Sequence, residues 1–150
     1  MHALTDPDWN KNCRGAMDYL ERVREEGIIK VHGVSCHSPG ALQTAASEPW
    51  VQVDLARMNP AGVRMDAEVP VVVKVLQDMK SKGKGIIGMK ILGAGHFRNK
   101  VDEALQYALS RYFTGKRSSH INTGYFSQAF TTNAPVAVRS ARAKMRYPCA

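Results

Sequence analysis

With 150 residues, 44% apolar and 23% charged, the chain has the size and composition of one soluble globular domain. No apolar run approaches the ~20 residues of a membrane span, and the amino end lacks a signal-peptide pattern, so we expect a cytoplasmic protein without membrane contact. The net charge of +8 is typical of nucleic-acid binding, but residues 1–110 hold 14 basic and 13 acidic side chains, whereas residues 111–150 hold seven basic and no acidic ones.

The first part of the chain alternates helix, strand and helix. Apolar residues at spacings of three and four predict a helix from about residue 10 to residue 26, and Gly27 suits the positive φ of a helix end. The β-branched, apolar run 28–35 predicts a buried strand. Ser38 and Pro39 predict the N-cap and first residue of a short helix that ends before Pro49.

The same alternation continues to residue 110. Strands are predicted at 51–55 and 85–92, and helices at 69–82 and 99–110. This order is typical of a parallel sheet with helices on its faces, so we predict three adjacent parallel strands in chain order. From residue 111 onwards neither periodicity persists. We therefore predict a folded domain over residues 1–110 and a basic, poorly ordered tail over residues 111–150.

Two glycine motifs suggest phosphate binding, and their positions distinguish them. The run 83–88 reads GxGxxG, but it lies between a helix and the next strand, whereas a dinucleotide fingerprint opens a helix after a strand. We interpret its glycines as helix-end residues. The run 92–95 does follow a strand, where backbone amides can approach phosphate oxygens, although ordinary loop glycines are the alternative. Lys90 lies just before that loop and must be paired or functional if it is buried.

His32, Cys36 and His37 suggest a zinc site, but a strand would place His32 and Cys36 on one face and His37 on the other. No fourth ligand lies at metal spacing, so we predict no metal site. The cysteines, of which there are three, are widely spaced and are expected to be free thiols.

Three strands in order resemble the aldo/keto reductase superfamily. The run 27–37, GIIKVHGVSCH, resembles the fifth strand of that (β/α)8 TIM barrel, which carries a GVSN-type motif. Residues 51–54, VQVD, followed by Asn59 and Pro60, are similar to the sixth strand, and residues 85–93, GIIGMKILG, to the seventh. The resemblance covers about residues 1–110. It implies an α/β fold, a partial barrel of about strands four to seven with their helices, followed by a divergent tail.

The resemblance also implies roles for particular residues. His2 falls at the position of the family's catalytic histidine, and the residues at cofactor-binding positions are Ser35, Cys36, Gln52, Met89, Lys90, Leu92 and Gly93. The cofactor would be NADP or NAD, and the substrate a small carbonyl compound. We expect His2, Ser35, Gln52, Met89 and Gly93 to converge at the carboxyl edge of the sheet, with Gly83 and Gly85 at the opposite edge.

Departures from the family pattern affect the expected activity. Cys36 replaces the usual asparagine, and no residue here matches the family's catalytic aspartate, tyrosine and lysine. The resemblance therefore implies a truncated oxidoreductase, whose parent reduces an aldehyde or ketone with NAD(P)H. We expect the chain itself to show little turnover. We also expect its exposed sheet edges to favour self-association. The alternative is a basic module that binds nucleic acid or an anionic surface through residues 111–150. No RNA-binding motif is present, which counts against this alternative, and nucleic acid is not an expected partner.

Overall fold

A computed structural model describes residues 1–112 and 120–121 of the chain. Four strands form one parallel sheet: β1 (Gly33–Val34), β2 (Val53–Arg57), β3 (Gly85–Met89) and β4 (His120–Ile121). They lie side by side in chain order, β1-β2-β3-β4. Helices connect the first three strands, so the predicted α/β fold with adjacent parallel strands is confirmed in this part of the chain.

The helices follow the predicted pattern closely. They are α1 (Trp9–Asn12), α2 (Arg14–Glu25), α3 (Pro39–Ser47), α4 (Val69–Ser81) and α5 (Val101–Tyr112), with a 3-10 turn over Gly93–Gly95. The Ser38 hydroxyl accepts a hydrogen bond from the Ala41 N–H at 3.1 Å, and Gly27 has a φ of +76° after α2. Both predicted helix boundaries are therefore confirmed. The single helix predicted before Gly27 is instead two helices, which meet at Cys13.

The strands are shorter than predicted, for local reasons. In the run 28–35 only Gly33 and Val34 belong to the sheet, because Ile28 and Val31 are 70% and 56% exposed and the His32 N–H bonds the Gln52 side chain instead of a neighbouring strand. β3 ends at Met89 rather than at residue 92, because Lys90 takes a φ of +56°, which turns the chain.

The amino-terminal segment lies beside β1. Leu4 forms a parallel bridge with Cys36, and its N–H donates to the Ser35 carbonyl at 2.9 Å. The Met1 ammonium donates to the Gly33 carbonyl at 2.6 Å. Residues 1–4 thus occupy the position of a strand before β1, as the resemblance of His2 to a fourth-strand residue implies.

Only one face of the sheet is packed against helices in the part that the structure describes. Val34, Ala56 and Ile86 point to that side and join a buried core with helix residues such as Trp9, Met17, Leu42, Val72, Leu76 and Met79. The alternate residues of the strands point the other way, where Val53, Leu55, Ile87 and Met89 are half-buried and do not belong to that core. In a closed barrel this second face, which we call the inner face, is the interior.

Part of the predicted tail is structured. α5 continues to Tyr112, and β4 pairs with β3 through Ile87↔His120 and Gly88↔Ile121. No strand is predicted here from the sequence, because two residues are too few for a recognisable alternation. Residues 113–119 and 122–150 lie outside the described residues, and the predictions of a poorly ordered tail and of a tail that binds anions lie mostly there. Over the described ranges, no helix is long and apolar enough to cross a bilayer.

Candidate active site

A hydrogen bond joins His2 and Ser35 at the carboxyl edge of the sheet. His2 Nδ1 lies 2.7 Å from Ser35 Oγ, and the same hydroxyl accepts from the Ala3 N–H at 3.0 Å. Ser35 directly follows β1 and is 1% exposed, whereas His2 is exposed. The buried serine therefore fixes one ring nitrogen of an accessible histidine, which leaves the other nitrogen open to a substrate.

The Ser35 hydroxyl has one hydrogen-bonding position left. A hydroxyl donates once and accepts twice. If it donates to His2 Nδ1 and accepts from Ala3, its remaining lone pair can accept from an amide such as that of a nicotinamide. Ser35 is therefore a candidate acceptor for a carboxamide.

Basic side chains surround the pair. The ring centroids of His2 and His37 lie 5.7 Å apart in an edge-to-face arrangement. Arg57, the last residue of β2, forms an ion pair with Asp66, whose side chain is 1% exposed. Burial raises the pKa of Asp66 and the Arg57 partner opposes that shift. Burial, followed by the charge of Arg57, lowers the pKa of His37.

The chain makes a tight turn after β3. Lys90, Gly93, Ala94 and Gly95 all have positive φ, between +54° and +99°. Gly93 is buried, and a Cβ there would lie 3.1 Å from that of His96 and 3.2 Å from the Phe97 ring. Left-handed backbone at the non-glycine residues Lys90 and Ala94 costs roughly 1–2 kcal/mol each, and such strain is concentrated at ligand sites.

Met89, Lys90 and Leu92, at the carboxyl end of β3, have different packing and hydrogen-bond partners. Met89 ends β3 on the inner face, level with Arg57, and is half-buried. Leu92 is half-buried against the core, and the Lys90 carbonyl accepts from Asn59 Nδ2 at 3.3 Å. His2, Ser35, Met89 and Gly93 thus all lie at the carboxyl edge of the sheet, as predicted.

Two of the predicted cofactor residues lie elsewhere. Gln52 precedes β2, its carbonyl accepts from the Gly85 N–H at 2.8 Å, and its Oε1 accepts from the His32 N–H at 3.1 Å, so it lies at the amino edge. The prediction that Gln52 joins the carboxyl edge is wrong: Gln52 directly precedes β2, which runs from Val53 to the carboxyl edge at Arg57. Cys36 lies on the helix side, 1% exposed, because neighbouring residues of extended chain point to opposite faces. Burial raises the pKa of its thiol strongly.

The glycines of the GxGxxG run lie where the sequence placed them. Gly83 follows α4 and Gly85 begins β3, so both lie at the amino edge, and a strand rather than a helix follows them. Gly83 borders a groove of about 520 Å³ there, with Gln52 and Lys84. Lys84 Nζ donates to three carbonyls at the end of α3 and beyond it, those of Ala45, Glu48 and Val51, at 2.5–3.1 Å. This lysine therefore closes the end of α3.

The site contains residues that sequence reasoning missed. Arg57 and Asp66 were not singled out because their pairing spans a loop whose shape the sequence does not reveal. Outside the site, sequence reasoning also assigned no role to Asp54, the second residue of β2, which lies on the helix side of the sheet. It is fully buried, and neither of its carboxylate oxygens has a hydrogen-bond partner among the described residues. Burial, together with the charge of Asp66, raises the pKa of Asp54 to about 7. A lone acidic residue in an apolar strand was the signal that could have identified it.

Comparisons with known proteins agree with this geometry. A family model described as "Aldo/keto reductase family" matches residues 2–134, which extends beyond α5 and past β4. Comparisons with curated proteins and with solved structures find no match. The family match spans most of the 150 residues, and a parallel α/β sheet with a histidine at its carboxyl edge is compatible with it. The chain belongs to the aldo/keto reductase family.

Proposed function

We propose that the carboxyl edge of this sheet is part of a carbonyl reductase site, whose parent reaction is the NAD(P)H-dependent reduction of an aldehyde or ketone. The observation that carries the proposal is the 2.7 Å contact between His2 Nδ1 and Ser35 Oγ, at the same edge of the sheet as the strained turn after β3. A histidine whose ring is held through one nitrogen can hydrogen-bond a substrate carbonyl through the other. His2 is the proposed catalytic residue.

The proposed cofactor contacts follow from the same edge. Ser35 accepts from a carboxamide, Met89 offers a thioether to pack on a ring face, and the turn formed by Lys90, Leu92 and Gly93 brings backbone close to a phosphate or ribose. The nicotinamide supplies hydride when it is bound. Gln52 and Cys36 have no part in this proposal, because one lies at the amino edge and the other under the helices.

We also propose that the chain alone turns over little or no substrate. Reduction of a carbonyl requires a positioned proton donor, and the loss of such a group commonly costs ~10² to 10⁴ in rate. Among the described residues the tyrosines are Tyr19 on α2 and Tyr107 and Tyr112 on α5, and Tyr19 is 57% exposed. None of them belongs to the loops that follow the strands.

Two assays on the purified chain test these proposals. Titration of NADPH, followed by its nicotinamide fluorescence, should show saturable binding that Met89→Asp weakens at least tenfold, because a carboxylate beside the ring face opposes binding of an anionic dinucleotide. Val71→Asp, at an exposed position of α4, is the matched control and should bind as the wild type does. No saturable binding, or equal binding by the Met89 variant, contradicts the cofactor assignment.

The second assay is NADPH oxidation with simple aldehydes, for which we expect no rate above a buffer control. A measurable rate that His2→Ala abolishes would contradict the proposed inactivity and would show that a proton donor is present.

A further inference from the structure

Three successive strands are each followed or ended by a basic residue at the carboxyl edge. Arg57 is the last residue of β2, Lys90 is the first after β3, and His37 is the third after β1. Arg57 is level with Met89 in the register of β2 and β3, so Arg57 and Lys90 lie at neighbouring strand ends. This group, His37, Arg57 and Lys90, is the basic cluster.

The basic cluster lies beside His2. The rings of His37 and His2 lie with their centroids 5.7 Å apart. The backbone N–H of His37 donates to the Leu4 carbonyl at 2.6 Å. The charged groups that act on His37 are Arg57, Asp66, His2 and Lys90. Asp66 is the one acid among them, and it is already engaged by Arg57.

The cluster has more donors than acceptors. Within residues 1–112 and 120–121, the Lys90 ammonium makes no hydrogen bond or ion pair, and the ring nitrogens of His37 have no hydrogen-bond partner. The Nε–H of Arg57 is buried and also lacks an acceptor there. Lys90 and His37 are half-buried rather than fully buried, so their free donors can reach a ligand that brings acceptor oxygens.

We propose that the basic cluster binds a carboxylate carried by the carbonyl substrate, which makes the substrate an oxo acid rather than a neutral aldehyde or ketone. The inference rests on the proposed reductase site, because it places the carbonyl of that same substrate at His2. A carboxylate offers two acceptor oxygens to donors on neighbouring strands. A neutral substrate leaves these donors unpaired, which is the physical basis for strong discrimination between related substrates.

Saturation-transfer NMR of ligand binding to the full chain tests the inference without requiring turnover. The probes are 4-oxobutanoate and butanal. Both have the same carbon chain, but only 4-oxobutanoate carries a carboxylate. We expect 4-oxobutanoate to bind at least tenfold more tightly than butanal, and Lys90→Met and His37→Phe each to remove most of that advantage. His37→Phe keeps a ring beside His2, so a loss of affinity reports the missing donor. Lys74→Met, which removes an exposed lysine of α4, is the control and should bind both probes as the wild type does.

The outcomes separate this inference from the proposed function. Suppose that NADPH binds but 4-oxobutanoate binds no more tightly than butanal. The inference is then overturned and the reductase site stands. The same holds if 4-oxobutanoate binds more tightly than butanal and this difference persists in both variants. If inorganic phosphate displaces 4-oxobutanoate at lower concentration than 4-oxobutanoate itself requires, the cluster is a phosphate site and the inference is again overturned. If 4-oxobutanoate binds as expected while NADPH does not bind, the carboxylate site stands and the proposed function fails.

Discussion

His2 Nδ1 and Ser35 Oγ lie 2.7 Å apart, which joins the amino-terminal segment to the end of β1 by a side-chain contact as well as by backbone pairing. Ser35→Ala should lower the free energy of unfolding by about 1–2 kcal/mol, because it removes this bond and leaves the Ala3 N–H without its acceptor. Denaturant unfolding measures the change. Ser81→Ala is the matched control, since the Ser81 hydroxyl is exposed and bonds only the Asp78 carbonyl of its own helix. Equal losses in the two variants would contradict the role given to Ser35.

Asp54 predicts a pH-dependent stability. Its pKa is raised to about 7 in the folded chain, whereas in the unfolded chain it has the ordinary carboxyl pKa of about 3.8. Between these values the folded state holds a proton that the unfolded state releases, so stability is highest below about pH 4 for this group and falls as the pH rises to about 7. Asp54→Asn removes that titration. Between pH 5 and pH 8, the unfolding free energy of the variant should fall by about 3 kcal/mol less than that of the wild type. Parallel pH profiles for the two proteins would show that Asp54 ionises freely in the fold.

Gly33 pairs with Val53 of β2 and leaves no room for a side chain. A Cβ at Gly33 would overlap the backbone oxygen of Val53, which belongs to the neighbouring strand and cannot yield as a side chain does. Gly33→Ala should therefore lower stability by about 3 kcal/mol, the upper end of the usual overpacking cost. Gly15→Ala is the control: nothing lies within 4 Å of its added methyl, and in a helix it should stabilise by about 0.5–1 kcal/mol. Similar effects from the two variants would contradict the strand register.

The inner face predicts self-association. Val53, Leu55, Ile87 and Met89 are half-buried there without belonging to the helix-side core, and apolar surface of this kind favours association with other chains. Sedimentation velocity on the wild type should show oligomers or aggregates, and Ile87→Lys should shift the distribution toward monomer. Val71→Lys places the same charge at an exposed position of α4 and should leave the distribution unchanged. A monodisperse wild-type monomer would contradict this prediction.

Periodicity and caps were sufficient to predict the α/β order, because the amphipathic helices and the apolar strands carry their own local signals. The Ser38 cap and the glycine at the end of α2 are such local features. Strand lengths were less predictable. Whether Ile28 and Val31 are buried depends on what covers them, and whether β3 continues depends on the left-handed turn at Lys90.

The site was predicted only where the position of a residue follows from the local strand pattern. A residue directly after a strand, such as Ser35, keeps its position at the carboxyl edge whatever the rest of the fold does. Gln52 lies near the amino end even of the predicted strand 51–55, so its assignment to the carboxyl edge rested on the family resemblance alone, and the observed β2 places it at the amino edge. The pairing of Arg57 with Asp66 is a contact across a loop, which no local pattern of residues encodes.

The most direct test of the central claim, that the carboxyl edge binds a nicotinamide cofactor beside His2, is saturation transfer from the chain to the protons of NADPH. The Ser35 hydroxyl has a lone pair left for the carboxamide, and Met89, two strands away at the end of β3, is half-buried on the inner face. We predict transfer to the nicotinamide protons, lost or strongly reduced in Ser35→Ala and kept in Ser81→Ala. Absence of transfer to the nicotinamide ring in the wild type, or equal transfer in both variants, would contradict the claim.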